Sequence, residues 1–288
     1  MHDAPLEKLL ASPIPATIFL RSDRRSSQLR RRTAPGRNLR LGSMSISITH
    51  AAVSEPGRRF PANEDRWLAN PDLGLYAVVD GMADERTPQF IVEQLPGLLV
   101  DSFQSQETWS DPNVAEQVRK ALVQLSAAVR DQSQANPEEP PMAATLVLAL
   151  LRPNQALIAH LGTCRAYLWR EGFLEPLTRD HSLVQRYLGL GVLKVEQASR
   201  YPFGGGPTSY LGMKGEPTPS VRAVPLSPGD QLLLCSAGLT HAITDWQIHD
   251  RFQQSKNPVE ICQHLISAAK EAGARDSATA LIVSISET

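Results

Sequence analysis

The sequence predicts an α+β protein built from antiparallel layers, on three observations. Short apolar runs recur between 143 and 170 with two-residue polar breaks, at Pro153-Asn154 and Gly162-Thr163, followed by a further turn at Glu171-Gly172. That is the rhythm of a strand meander. Two helical patterns precede this block and a second adjacent pair, at 245–252 and 258–272, comes late in the chain, so strands and helices come in groups instead of alternating as a parallel doubly wound sheet requires. No apolar run approaches the roughly 20 residues of a membrane helix. A hydrophobic fraction of 42% with 20% charged residues is that of an ordinary soluble globular chain.

Charge divides the chain unevenly. Residues 1–43 carry nine Lys or Arg against three acids, so the remaining residues hold a net charge of -7. The leader is rich in Pro, Ser and Arg without a sustained apolar period and is expected to be disordered. Its basic composition leaves open a solvated tail, a transit peptide, an arm for nucleic acid, or a segment upstream of a working start at Met44. An acidic body gives no general attraction to nucleic acid or to an anionic membrane, and a monomer is expected. Cys164, Cys235 and Cys262 are too few and too scattered for a disulfide framework, which favours a reducing, cytoplasmic setting.

From Met44 each element has a local reason. Ile46 and Ile48 alternate with polar residues as in a half-buried strand, and Leu75 to Val79 reads as a buried one bounded by Asp72 and Gly74. A helix is expected from about Thr87 to Gln104, interrupted or kinked near Pro96. A second has Asp111 placed to cap it, Pro112 in its first turn, and Val114, Val118, Leu122, Leu125 and Val129 on one face. Strands are expected at 143–151, 155–161 and 165–170. A helix starts near 180 with Asp180 capping, and 189–215 is irregular. Further strands fall at 221–225, 231–236 and 278–285, with helices at 245–252 and 258–272 between the last two.

The chemistry gathers between Asn63 and Asp84, NEDRWLANPDLGLYAVVDGMAD. Asn63-Glu64-Asp65 stands in front of one apolar run and Asp80-Gly81-Met82 directly behind the next. Carboxylates at strand ends suit a hard divalent cation, which takes oxygen ligands and keeps several waters. A lone Asp-Gly is ordinarily a turn, so the assignment depends on what lies downstream. His160 and Arg165 read as hydrogen-bonded and ion-paired structural residues, His241 as a surface residue, and Cys164 and Cys235 as small buried hydrophobes. Gly204-Gly205-Gly206 lacks the strand-to-helix context of a phosphate cradle.

NED, DGM, MAATLVLALL, HLGTCRAYLWREGFLEPLTRDHSLVQRYL, PGDQLLLCSAGLTHAITD and GARDSATALIVSI follow one another in an order and spacing that resembles the bacterial, metal-dependent protein phosphatases of the protein phosphatase 2C family. The likeness covers about residues 46–286. It implies a four-layer α-β-β-α sandwich of two antiparallel sheets flanked by helix pairs. It also implies hydrolysis of phosphoserine or phosphothreonine in a phosphoprotein by a water activated on two Mn²⁺ or Mg²⁺ ions. Carried over by position, Asp80 bridges the metals, Gly81 lends its carbonyl to the first, and Asp276 serves the second. Glu64 and Asp65 hold coordinated waters or support the ligands.

The chain departs from the family pattern where chemistry is expected. Ala237 replaces a carboxylate ligand of the second metal, Thr163 an aspartate linked to a third, and Phe60 the phosphate-binding arginine. Arg58 and Arg59 are adjacent substitutes for that arginine. Ala83-Asp84 stands where two glycines are usual, and Ser277 where an asparagine is. Two readings stay open: a phosphatase with a weakened second metal site, or a pseudophosphatase that binds a partner such as a phosphoprotein or a Ser/Thr kinase.

Overall fold

The computed structural model describes residues 37–41, 44–82, 84–103, 109, 112–198 and 206–287. Among them the strands are β1 (Arg37–Leu41), β2 (Met44–Glu55), β3 (Asp65–Asn70), β4 (Leu75–Gly81), β5 (Ala144–Arg152), β6 (Gln155–Leu161), β7 (Arg165–Arg170), β8 (Phe173–Pro176), β9 (Ser220–Pro225), β10 (Gln231–Cys235) and β11 (Ala278–Glu287). The helices are α1 (Arg86–Phe103), α2 (Pro112–Gln134), α3 (Leu183–Gly189), α4 (Val195–Ala198), α5 (Ala237–Ala242), α6 (Asp245–Gln254) and α7 (Pro258–Glu271). One sheet has the order β1-β2-β11-β10-β7-β8 and the other β3-β4-β5-β6-β9, antiparallel at every described pairing.

Side-chain alternation explains the layering. In β4, Leu75, Ala77 and Val79 pack with Ile91, Leu95, Leu122 and Leu125 of α1 and α2, while Tyr76 and Val78 enter a second cluster between the sheets. In β10 and β11, Leu232, Leu234, Leu281 and Val283 join that central cluster, and Leu233, Ala280 and Ile282 pack outward on Ile261 and Leu265 of α7. Both sheets are therefore apolar on two faces, which is why their sequences read as nearly continuous hydrophobic runs. The result is the expected four-layer α-β-β-α sandwich.

Several expectations change in detail. Five residues of the leader expected to be disordered, Arg37–Leu41, form β1 and pair with β2 from Arg37↔Ile48 to Leu41↔Met44. The helix expected to be broken at Pro96 is assigned without interruption from Arg86 to Phe103. Its Leu95 and Leu99 stay in the core, so packing holds the helix through a residue that cannot donate its own hydrogen bond. Asp180 does not cap α3. Its two carboxylate oxygens accept from Arg165 Nε and Nη2 at 2.7 and 2.8 Å, and the cap is Ser182, whose Oγ accepts from the Gln185 N–H. The expected ion pair of Arg165 thus consumes the expected cap. The expected caps and glycines at Asp111 and Gly204-Gly205 lie outside the described residues.

His160 is hydrogen-bonded to the Arg179 carbonyl through Nε2 at 2.8 Å and stacks at 4.4 Å on His181, which accepts from the Gly162 N–H. Cys164, Cys235 and Cys262 are free and buried, and burial raises each thiol. His241 is exposed.

Because Leu148 is fully enclosed between β4, β6 and the helices, Leu148→Ala is expected to cost about 2–5 kcal/mol in urea unfolding. Leu190→Ala, at a side chain that is 65% exposed, is expected to stay within about 0.5 kcal/mol.

Candidate metal centre

The apolar stripes between the sheets change character at one end of the sandwich. Tyr76 and Val78 are followed on the same face of β4 by Asp80, and Trp67 in β3 by Asp65. The β3–β4 register sets Asp65 directly opposite Asp80. In the facing sheet the same step leads from Leu234 to Ser236 and from Leu281 to Thr279. A polar cluster closes the end of a hydrophobic gap.

Hydroxyl groups tie the two sheets together there. Ser236 Oγ and Thr279 Oγ1 both donate to Asp65 Oδ2, at 2.7 and 2.6 Å. Because Thr279 spends its hydrogen on Asp65, it accepts from Ser54 Oγ at 2.7 Å, and Ser54 in turn accepts from Asn63 Nδ2 at 2.8 Å. Asn63 Oδ1 accepts the Asp65 N–H, which closes the chain of bonds. Asp65 is 1% exposed, and its Oδ1 has no hydrogen-bond partner among the described residues. A buried carboxylate oxygen left unpaired is costly and marks a place for a cation or a proton.

Asp80 lies nearer the cleft. Its Oδ2 accepts the Ala237 N–H at 3.1 Å, so the backbone of α5 contacts it where a carboxylate was expected from the family pattern. Gly81 donates its N–H to the Glu64 carbonyl at 3.0 Å. A Cβ on Gly81 would stand 2.5 Å from the Asp84 carbonyl oxygen, so this close crossing of loops admits only glycine. Gly238 is equally constrained, since a Cβ there would meet the Ser277 carbonyl oxygen at 2.0 Å. That contact presses the start of α5 against the turn carrying Asp276.

The Arg58 and Arg59 N–H groups donate to the carbonyls of Ala274 and Arg275, which clamps their loop beside Asp276. The two side chains diverge from that clamp. Arg59 approaches Asp276 at 3.7 Å and lies over the Phe60 ring at 4.9 Å, while the Arg58 guanidinium is the group a Cβ on Gly273 would touch. Thr163 is buried in the turn between β6 and β7, and Ala237 is 7% exposed at the head of α5.

Electrostatics follow from this crowding. Burial is the main cause that pushes Asp80 up to about 7, with Asp276 and Glu64 adding repulsion and the Ala237 N–H opposing it. Burial and the facing Asp80 raise Asp65 well above the ordinary carboxylate range against the pull of Thr279 and Ser236. Glu64 is also raised, by burial and by Asp276, and Arg59 offsets part of this. Oxygen donors with unrelieved negative charge fit a hard divalent ion that keeps waters. Among the described residues, no three His, Cys, Asp or Glu side chains converge closely enough to hold an ion by themselves. Asp80, Gly81 and Asp276 are thus neighbours of one cleft, and water is needed to complete any coordination shell. Sequence reasoning missed Ser54, Ser236 and Thr279, whose only signal is a polar residue closing an apolar alternation.

A four-layer sandwich with an acidic cleft at the end of its central gap is the architecture of the metal-dependent phosphatases. The sequence pattern of the Protein phosphatase 2C family matches residues 44–186. The serine/threonine phosphatase stp of Listeria monocytogenes serotype 4b is 30% identical over 73% of this chain and 83% of its own length. Among solved structures, PppA of Pseudomonas aeruginosa, described as a regulatory component of a T6SS, is 29% identical with a TM-score of 0.70, covering 83% of this chain and 97% of PppA. The catalytic domain of the phosphatase PstP, solved with two manganese ions, is 28% identical with a TM-score of 0.68 over 84% of this chain and 99% of that domain. The chain belongs to the protein phosphatase 2C family. No helix among the described residues is long and apolar enough to cross a membrane.

Carboxylates raised in the folded state stabilise it below their unfolded pKa and lose that contribution as pH rises through the folded value. The metal-free protein is therefore expected to melt several degrees lower at pH 8 than at pH 5 on account of Asp65 and Asp80. Millimolar Mn²⁺ should remove most of that loss, and Asp80→Asn should flatten it without metal, both read by calorimetry.

Proposed function

We propose that this protein is a metal-dependent serine/threonine phosphoprotein phosphatase whose second metal position is weakened. The observation that carries the reading is that Asp65 faces Asp80 across β3 and β4, Asp276 and Glu64 add repulsion at Asp80, and Arg59 stands 3.7 Å from Asp276. Relatives named serine/threonine phosphatases support it.

In this reading Asp80, the Gly81 carbonyl and Asp276 are the residues that would hold Mn²⁺ or Mg²⁺. Such ions supply a water of lowered pKa and neutralise phosphoryl oxygens. Glu64 orients waters from beside Asp80. Asp65 acts through structure: its hydroxyl partners, Ser236 just after β10 and Thr279 on β11, hold β3, and through the pairing of β3 with β4 they hold the position of Asp80. Arg59 is the better substitute for the missing phosphate arginine, because it points toward Asp276 while Arg58 turns to Gly273. A guanidinium there would grip two phosphoryl oxygens and offset their charge.

The pseudophosphatase reading draws on a different observation. Ala237 removes a full negative charge from the second position, and its N–H takes a lone pair of Asp80. Full-length protein titrated with Mn²⁺, assayed on p-nitrophenyl phosphate and a phosphothreonine peptide, separates the two. Mn²⁺-dependent hydrolysis abolished by Asp80→Ala is the expected result, and an inert protein that still binds the phosphopeptide would establish the alternative. Ala237→Asp is expected to tighten Mn²⁺ binding by about 10–100-fold. Arg59→Ala should lower peptide kcat/KM by at least about tenfold, with Arg58→Ala within about twofold.

A further inference from the structure

A cavity of about 420 Å³ is lined in part by Glu64, whose charge also acts on Asp80 and Asp276 of the acidic cleft. Its apolar wall consists of Phe60, Pro61, Ala62 and Pro140. Its charged lining consists of Glu64, Asp84, Glu85 and Glu139 against one cation, Arg86. Several of these charges are already engaged. Asp84 Oδ1 accepts the N–H groups of Arg86 and Thr87 and so caps α1. Arg86 pairs with Glu139 and with Asp84, and its Nη2 reaches the Pro140 carbonyl at 3.4 Å. This bridge holds the Pro-rich loop after α2 against the start of α1 as the far wall of the cavity.

Arg86 is thereby used up, and the surplus is negative. Glu85 is 58% exposed, with Arg66 at 3.7 Å as its ion-pair neighbour. Glu64 is only 7% exposed, and Asp276 and Asp84 repel its carboxylate while Arg59 offsets part of that charge. Standing on the wall of this cavity, Glu64 adds its charge to a lining that favours a cationic group or waters as its occupant.

An anionic occupant is disfavoured by the surplus charge, and a purely apolar one would leave that surplus unneutralised. A side chain with an aliphatic stem and a cationic head satisfies both parts of the lining. Its methylenes would lie on Phe60, Pro61 and Pro140 while its head stays among the carboxylates. We propose that this cavity receives a Lys or Arg side chain flanking the phosphorylated residue of the substrate, so that the protein selects basic phosphopeptides. The inference rests on the phosphatase reading, in which the phosphate sits in the adjoining cleft. It also gives Phe60 a use: where the family pattern has an arginine, an aromatic ring supplies cavity wall and a platform for Arg59.

The test uses the full chain with Mn²⁺ and fluorescein-labelled phosphothreonine peptides. The residues two and three positions to either side of the phosphothreonine are all Arg, all Ala or all Glu. Binding is read by anisotropy and turnover by phosphate release, alongside p-nitrophenyl phosphate, which is too small to reach the cavity from the cleft. The Arg peptide is expected to bind at least about threefold more tightly than the Ala peptide, and the Glu peptide more weakly than both. Glu85→Lys and, separately, Glu139→Lys should erase or invert that order while hydrolysis of p-nitrophenyl phosphate stays unchanged. Glu85→Lys leaves the Arg86–Glu139 bridge intact, so a folding defect in the other variant does not decide the matter.

Turnover of p-nitrophenyl phosphate with equal affinity for all three peptides overturns the cavity proposal and leaves the phosphatase reading standing. An inert protein that keeps the Arg preference overturns the phosphatase reading and supports the cavity as a phosphopeptide-binding site. Absence of both turnover and peptide binding overturns both.

Discussion

Two carboxylates face each other across an antiparallel pair, and much of the cleft is arranged around that constraint. Asp65 and Asp80 are opposed by register, so neither can move away without breaking the β3–β4 ladder. Like charges directly opposite destabilise a sheet, and burial makes the repulsion harder to screen. The surrounding residues accommodate the deeper of the two with hydroxyl donors from the facing sheet. Asp65 therefore serves as a polar fastener between sheets, and Asp80 is left with one backbone N–H and a surplus of charge.

That division shows how one fold supports both stability and a reactive cleft. The central gap is apolar along most of its length, where close packing of Tyr76, Val78, Val147, Leu234 and Leu281 sets the spacing of the sheets. Only at the end of the gap do the strands exchange these residues for Asp, Ser and Thr. The carboxylates sit on strands and strand ends fixed by the core, and the loops bearing Asp276 and Arg59 are clamped by backbone bonds to each other. A site built this way keeps its geometry whether or not every ligand is retained. The substitution at 237 illustrates this, because an alanine there leaves α5 seated through Gly238 and Ser277.

Much of this was legible in the sequence for physical reasons. Asp80 shows itself because a carboxylate directly follows a buried apolar run, and the double-sided strands because alternating residues on both faces are hydrophobic. The short β8 and α5 escape notice, since four or six residues carry too little periodicity to register. Local pattern points to Asp180 as the cap of α3 because it favours the first acidic residue. Arg165, fifteen positions earlier, claims that carboxylate through a contact no local window contains. Ser236 and Thr279 were unreadable for the same reason: a hydroxyl at a strand end has no meaning until its distant partner is known. The choice between Arg58 and Arg59 likewise depends on which way each leaves a loop clamped to residues more than two hundred positions away.

The loss of one carboxylate at 237 is best understood through what the remaining groups can still offer. Removing a negative charge lowers the attraction for a cation, yet it also lowers the repulsion that raises Asp80 and Asp65, so the folded protein without metal gains where the ion loses. The Ala237 N–H works in the same direction, since it stabilises ionised Asp80 by a hydrogen bond instead of a metal bond. A cleft altered this way depends less on its ions for stability. In the phosphatase reading proposed above, such a cleft would ask more of Asp276, Glu64 and water to hold a second ion, and more of Arg59 to offset phosphate charge. In that reading, catalysis would depend on the phosphopeptide to bring part of the charge and ligands that the cleft no longer holds.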